Sequence, residues 1–259
     1  MDFLKSSKRR SVVSETVYVL LNIGFAAALL AIVLAVESPL LAFALVLLSK
    51  WRVLAVRPRY WYANIQANLV DLIVSLSLVV LLYGASGAVV MQYLLTLLYV
   101  GWLLFIKPRS KRAYIAVQAG AAVFLGVSAT MMVSADWIAT IPVAMMWLIG
   151  YASARHVLNS YDEVHGSFYS LIWGLVFAEF GWLAYHWTFA YTLPGMGSIK
   201  LSQAALIILG ISFVAERMYT SYTTHGKIRA SDALLPALLS FSIIVILLVF
   251  FNTLNNGTL

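Results

Sequence analysis

Two acids stand inside segments that are otherwise apolar. Glu179 lies about halfway along a long hydrophobic run, with Phe177, Ala178, Phe180 and Gly181 beside it. A mid-membrane carboxylate costs roughly 2.5 kcal/mol or more, so it is expected to face a partner, a cavity or a proton path. At helical spacing, Ile172, Leu175, Trp182 and His186 share its face. That face is aliphatic on one side of the acid and carries Trp and His on the other. An acid below Trp182 and His186 could hold a cation or pass a proton outward. The plainer reading is a protonated Glu hydrogen-bonded to a neighbouring helix, and the aliphatic half, which offers no polar route, suits that reading.

Asp71 has polar company. Asn64, Asn68, Asp71 and Ser75 fall on one helix face for three turns. Lipid cannot satisfy such groups, so the stripe is expected against protein or water, as a half-channel or a buried network. Gln92 and Thr96 in the next apolar segment are candidate partners.

Other residues gather near segment ends. Arg52, Arg57 and Arg59 stand with Trp51, Tyr60, Trp61 and Tyr62. Arginine pairs with phosphate, and Trp and Tyr settle at headgroup depth. The group could contact an anionic lipid or a lipid-linked phosphate, or simply form a basic link with an aromatic belt. Arg155, His156, Asp162, Glu163 and His165 cluster after the sixth segment. The two histidines are nine apart with no Glu-x-x-His arrangement, so a solvated loop is favoured over a metal site, and no metal is expected. Glu216-Arg217 reads as a local charge pair at headgroup level.

These residues must be positioned by membrane-spanning helices. Of 259 residues, 63% are hydrophobic and 10% charged, against about 45–50% and about 25% in soluble domains. A span needs about 20 residues. Nine candidates run at 16–36, 39–56, 64–83, 89–106, 113–133, 137–154, 167–190, 201–218 and 233–252. Of 17 Lys and Arg, 16 fall in the N-terminal tail (Lys5, Lys8, Arg9 and Arg10) and in every second link after it; Lys200 is the stray. The expected fold is therefore an all-α polytopic integral membrane protein, a bundle of about nine transmembrane helices, N-terminus cytoplasmic and C-terminus outside. Residues 1–15 form a basic cytoplasmic tail, 16–252 a single transmembrane domain, and 253–259 a short exterior tail.

The second span is the weak one. Pro39 to Ser49 is only 11 residues before Lys50. A helix continued to Val56, with Lys50 and Arg52 snorkelling to the headgroups, is preferred over a re-entrant hairpin. The apolar run Thr16–Val36 is too long for a signal peptide and is read as a retained helix. Arg57-Pro58-Arg59 and Lys107-Pro108-Arg109 lie 50 residues apart. They admit a duplicated hairpin, although a basic-Pro-basic link also suits any helix start at a cytoplasmic face. Ala116, Gly120, Ala122, Gly126 and Ala129 make the fifth span small and place it inside the bundle. Asn256-Gly257-Thr258 matches a glycosylation sequon by chance.

Several classes are excluded. With no Cys there is no disulfide, thiolate nucleophile or cysteine-held metal. The histidines are not paired at one depth for haem, and no Lys stands mid-span for a retinal Schiff base. Hydrolase and phosphate-loop motifs are missing, and the basic charge follows the membrane topology rather than a nucleic-acid surface. The expected function is a carrier or permease-like protein for a small solute or lipid in the plasma membrane, without a cofactor. Its polar interior would hold Glu179, Asp71, Asn68, Asn64, Trp182 and His186. The alternatives are a non-catalytic membrane subunit or scaffold and, more weakly, an enzyme acting on a lipid-linked phosphate.

Overall fold

The computed structural model describes residues 12–187, 190–192 and 200–250. Lys5, Lys8, Arg9, Arg10, the Asn256 sequon and Leu259 lie outside them. Nine α-helices form among the described residues: α1 (Val12–Ala35), α2 (Leu40–Ser49), α3 (Trp61–Gly84), α4 (Val89–Gly101), α5 (Arg112–Val133), α6 (Thr140–Asn159), α7 (Gly166–His186), α8 (Gln203–His225) and α9 (Ala230–Phe250). A short antiparallel ribbon, β1 (Ala190–Thr192) with β2 (Lys200–Ser202), joins α7 to α8. Seven helices are long and apolar enough to cross a membrane, α4 counting with the turn that extends it to Ile106. The exceptions are α2, which is short, and α6, which has 20 residues but is less apolar.

Helix α5 stands at the centre. It packs against α3, α6 and α8 and is the most buried candidate span, while α9 is the least. The core around it includes Leu82, Val79, Val127, Met146 and Phe177. Helices α6 and α7 make the closest pair, and glycines are the cause. A Cβ on Gly150 would lie 2.5 Å from Phe177 Cγ, and one on Gly181 would lie 2.7 Å from Met146 Cγ. On α7 the buried positions are Gly166, Ser170, Gly174, Phe177, Gly181 and Ala184, of which Gly166, Gly174, Phe177 and Gly181 lie against α6. The two proposed hairpins are unlike. Helix α5 pairs with α6, whereas α4 leans on α1 more than on α3.

The second span differs from expectation. Helix α2 stops at Ser49 and does not continue to Val56. The chain then runs through two short 3₁₀ turns, Trp51–Val53 and Pro58–Tyr60, beside the first turns of α3. At 10 residues α2 is about 15 Å long, half of a hydrocarbon layer. Lys50 does not snorkel along a continuous helix; its ammonium binds Asp71 of α3 instead. Backbone carbonyls freed by the break need donors. Asn64 Nδ2 donates to Val53 O at 2.8 Å, and Trp61 Nε1 lies 3.1 Å from Leu54 O and 3.0 Å from Val56 O. At the opposite end, Tyr83 donates to Ser38 O at 2.9 Å and ties α3 to the α1–α2 link.

Candidate functional site

Three polar features stand apart in the bundle. The first is an ion triad. Asp71 Oδ2 pairs with Lys50 Nζ and, at 3.0 Å, with Lys107 Nζ. Lys50 and Asp71 are 13% and 14% exposed, so both have left water, and a buried charge is tolerable only when paired. Two breaks in helix geometry bring the lysines there. Helix α2 ends just before Lys50, and α4 passes into a π-helical turn, Trp102–Ile106, just before Lys107. Asp71 Oδ1 is buried with no hydrogen-bond partner.

The rest of the stripe faces the bundle or the broken segment. Asn68 Nδ2 donates to Asn64 O at 2.8 Å, Ser75 Oγ to Asp71 O at 2.7 Å, and Tyr99 OH to Ser75 Oγ at 3.0 Å. Gln92 and Thr96 do not meet Asp71. Gln92 donates to Leu82 O at 3.1 Å and Thr96 to Gln92 O at 2.8 Å. Nearby, Gln118 Nε2 closes the turn after α4 by donating to Ile106 O (2.8 Å) and Arg109 O (2.9 Å). Its oxygen therefore faces His156 Nε2 at 2.7 Å as an acceptor, which makes Nε2 the protonated ring nitrogen.

The second feature is a half-open cavity of about 700 Å³ between α5, α6, α7 and α8 near the end of the bundle that carries the basic links. Its walls are mostly small or apolar, among them Ala119, Gly120, Val123 and Leu209. Aromatic rings of Tyr169, Trp173, Phe213, Tyr219 and Tyr222 line it as well. Among the described residues its charged lining groups are Glu163 and Glu216. Tyr219 donates to Glu163 Oε2, and the His165 N–H donates to Oε1 at 3.2 Å. These two hydrogen bonds, Tyr219 first, hold the Glu163 carboxyl below its ordinary pKa. Glu216 accepts from Thr220 Oγ1 at 2.9 Å and pairs with Arg217 Nε at 3.4 Å, and Thr220 lies 2.7 Å from Tyr161 OH. Arg112 rests over the Tyr161 ring at 4.5 Å, outside the cavity. Asp162, next to Glu163, takes a left-handed φ of 54°, which turns the chain into α7.

The third feature is the outer face of α7. Glu179 is exposed there, as are Trp182 and His186, and it does not reach the cavity. The expectation of a buried Glu179 is therefore corrected: its helix face is the one opposite the glycines that pack on α6. Among the described residues Glu179 has no hydrogen bond or ion pair, while His186 Nδ1 lies 2.9 Å from Trp182 O.

The arginine-rich group is likewise exposed. Arg52, Arg57, Arg59 and Trp61 all lie at the surface. Arg59 stacks over Tyr60 and Arg109 over Tyr114. Of the cluster Arg155, His156, Asp162, Glu163 and His165, the first two lie in the last turns of α6 and Glu163 lines the cavity. Among the described residues no group of three His, Asp or Glu is placed to hold a metal.

Reading the sequence missed Lys50 and Lys107 as partners of Asp71, and it missed the cavity. A Lys interrupting an apolar run was the available signal for the first. For the second it was the run of small residues on α5, which does two jobs. Gly126 packs tightly, since a Cβ there would be 3.0 Å from Ile149 Cδ1 and Ile73 Cγ2, whereas Gly120 only lines the cavity. Comparison with protein families, with curated proteins and with solved structures finds no match to this chain.

Proposed function

We propose that this chain is a multi-pass membrane carrier that binds a small amphiphilic solute or lipid in the cavity between α5 and α8. The solute class is a lipophilic cation. The observation that carries this reading is the cavity's composition: apolar and aromatic walls with, among the described residues, two charged lining groups, Glu163 bound by Tyr219 and Glu216 paired at 3.4 Å with Arg217 outside the lining. Aromatic faces and carboxylates both favour a cation, and the apolar walls favour a hydrocarbon body. The acidic site thus moves from Glu179 to Glu163 and Glu216.

The test uses tetraphenylphosphonium and tetraphenylborate, ions of like shape and opposite charge, on protein in nanodiscs. The cation should bind and be taken up into proteoliposomes, and the anion should not. Glu163→Gln with Glu216→Gln should weaken cation binding roughly tenfold or more, since an interaction with a charged partner is lost. Because Glu163 is held below its ordinary pKa, its charge persists from pH 8 down to the usual carboxylate range. Its share of cation binding should therefore disappear only as pH falls below that range. Equal binding of both ions would sink the proposal.

The chain is further proposed to cross the plasma membrane nine times, with residues 40–60 as a broken crossing and the basic links in the cytoplasm. A single Cys at Ser110 should then resist impermeant thiol reagents in intact cells, and labelling there would reverse the orientation. The reading as a membrane subunit draws support from the outward Glu179. The reading as a lipid-phosphate enzyme is the weaker alternative, with Arg59 held over Tyr60 and Arg109 over Tyr114.

A further inference from the structure

Four helices ring the cavity, and three of the four neighbouring pairs, α5–α6, α6–α7 and α5–α8, pack closely. The fourth pair, α7 and α8, makes little contact. Exposure marks the same place. Among the described residues of the lining, the exposed ones are Tyr169 on α7 and Phe213 and Tyr222 on α8. The lining residues of α5 and α6 are all buried or half-buried. The opening is therefore a slot between α7 and α8. Both helices are long and apolar enough to cross a membrane, which sets the depth of the slot. Tyr169 lies in the first turn of α7 and Tyr222 in the last turn of α8, both at the basic end. Phe213 stands near the middle of α8, about 14 Å further in. The rim thus carries Tyr at the span ends, where headgroups lie, and Phe at hydrocarbon depth.

We infer that the cavity is filled from the membrane and not from water: a cationic amphiphile dissolved in the leaflet at the basic end passes sideways through the α7–α8 slot. This rests on the cavity being a cation site and adds the source and shape of the cation. An amphiphile already lies with its head at the membrane surface and its body in hydrocarbon. Lateral entry keeps both parts at their own depth. The head comes to Glu163 and Glu216, which stand towards the basic end from Phe213, and the body comes to the apolar wall at Leu209 and Val123. Lipid tails are as apolar as that wall, so the body gains little by the move. The carboxylates and aromatic faces supply the preference for the cavity. Arg217 stands beside the slot, over the Phe213 ring at 5.4 Å and 3.4 Å from Glu216. It is half exposed, so an entering cation exchanges with it at Glu216 while its own head turns to the headgroups.

The chain has no native Cys, so single cysteines can be placed without background. In proteoliposomes, a spin label at Phe213→Cys should be relaxed more by O2, which concentrates in hydrocarbon, than by a nickel chelate, which stays in water. A pyrenyl maleimide on the same Cys should obstruct the slot and slow both association and release of tetraphenylphosphonium roughly tenfold or more. A methylthio group on that Cys, and the pyrenyl group on Leu235→Cys of α9, should leave both rates as in the parent. Unfolding curves in detergent would verify that the modified chains are folded. At equal aqueous concentration, dodecylammonium should displace tetraphenylphosphonium and ethylammonium should not. A nickel chelate more effective than O2 at Phe213→Cys, or exchange at full speed past the pyrenyl group, would overturn the lateral route and leave the cation site standing. Equal displacement by the two amines would overturn the amphiphile. A parent chain that binds no tetraphenylphosphonium would remove the cation site itself, and this inference with it.

Discussion

Asp71 on α3 and Glu179 on α7 stand at similar distances from the basic end of the bundle, about 15 Å and about 20 Å along their helices. Both interrupt apolar runs. Asp71 turns inward, meets two lysines and is nearly covered. Glu179 turns outward and, among the described residues, makes no hydrogen bond or ion pair. The difference comes from what each helix must pack. Helix α3 contributes its polar stripe to the junction with the broken second segment, where freed backbone groups call for donors and charges. Helix α7 spends its inner face on α6, and its glycines at 166, 174 and 181 fix which face that is. A lone acid in an apolar segment therefore takes its meaning from its angle relative to the small residues of the same helix.

The contrast can be put under strain by substitution. Asp71→Leu leaves Lys50 and Lys107 side by side without a counter-charge in a half-dry site. Breaking a buried pair in this way costs about 3–5 kcal/mol, and thermal unfolding in detergent should show a large drop. Lys50→Met in the same series should cost less, because Lys107 still neutralises the acid. If both variants unfold with the parent, the triad does not hold the broken segment in place. The smallest effect is expected at Glu179. In detergent, Glu179→Leu should change stability by no more than about 0.5 kcal/mol, as for a surface site without contacts. A loss comparable with that of Asp71→Leu would mean that Glu179 has a partner inside its own chain and would erase the comparison.

Helix positions were largely legible in the sequence. Spans read at 64–83, 89–106 and 113–133 lie within a few residues of α3, of α4 with its π turn, and of α5. Length and hydropathy suffice for this, since a helix is the only way for a lone segment to satisfy its backbone in lipid. The break after Ser49 was not legible, because a Lys can either snorkel or pair, and the choice depends on a carboxylate 21 residues away. The cavity was hidden for a related reason. Small residues on α5 permit close packing, and whether they are packed depends on how far α7 stands from α8, which no local pattern encodes. Glu163 looked like one charge in a hydrated loop; only folding sets it against Tyr219.

The π-helical turn before Lys107 has a consequence for sequence change. A π turn holds one residue more than the α-turn it replaces, so it behaves as a single-residue insertion absorbed without breaking the helix. The same residues wound as a regular α-helix would carry everything after the turn round by about 100°. Lys107 would swing from Asp71 to another side of the helix, and the carbonyls that Gln118 caps would turn with it. The π turn thus sets whether α3 and α4 are joined by charge, and an unbroken helix of the same residues would leave the second segment to Lys50 alone.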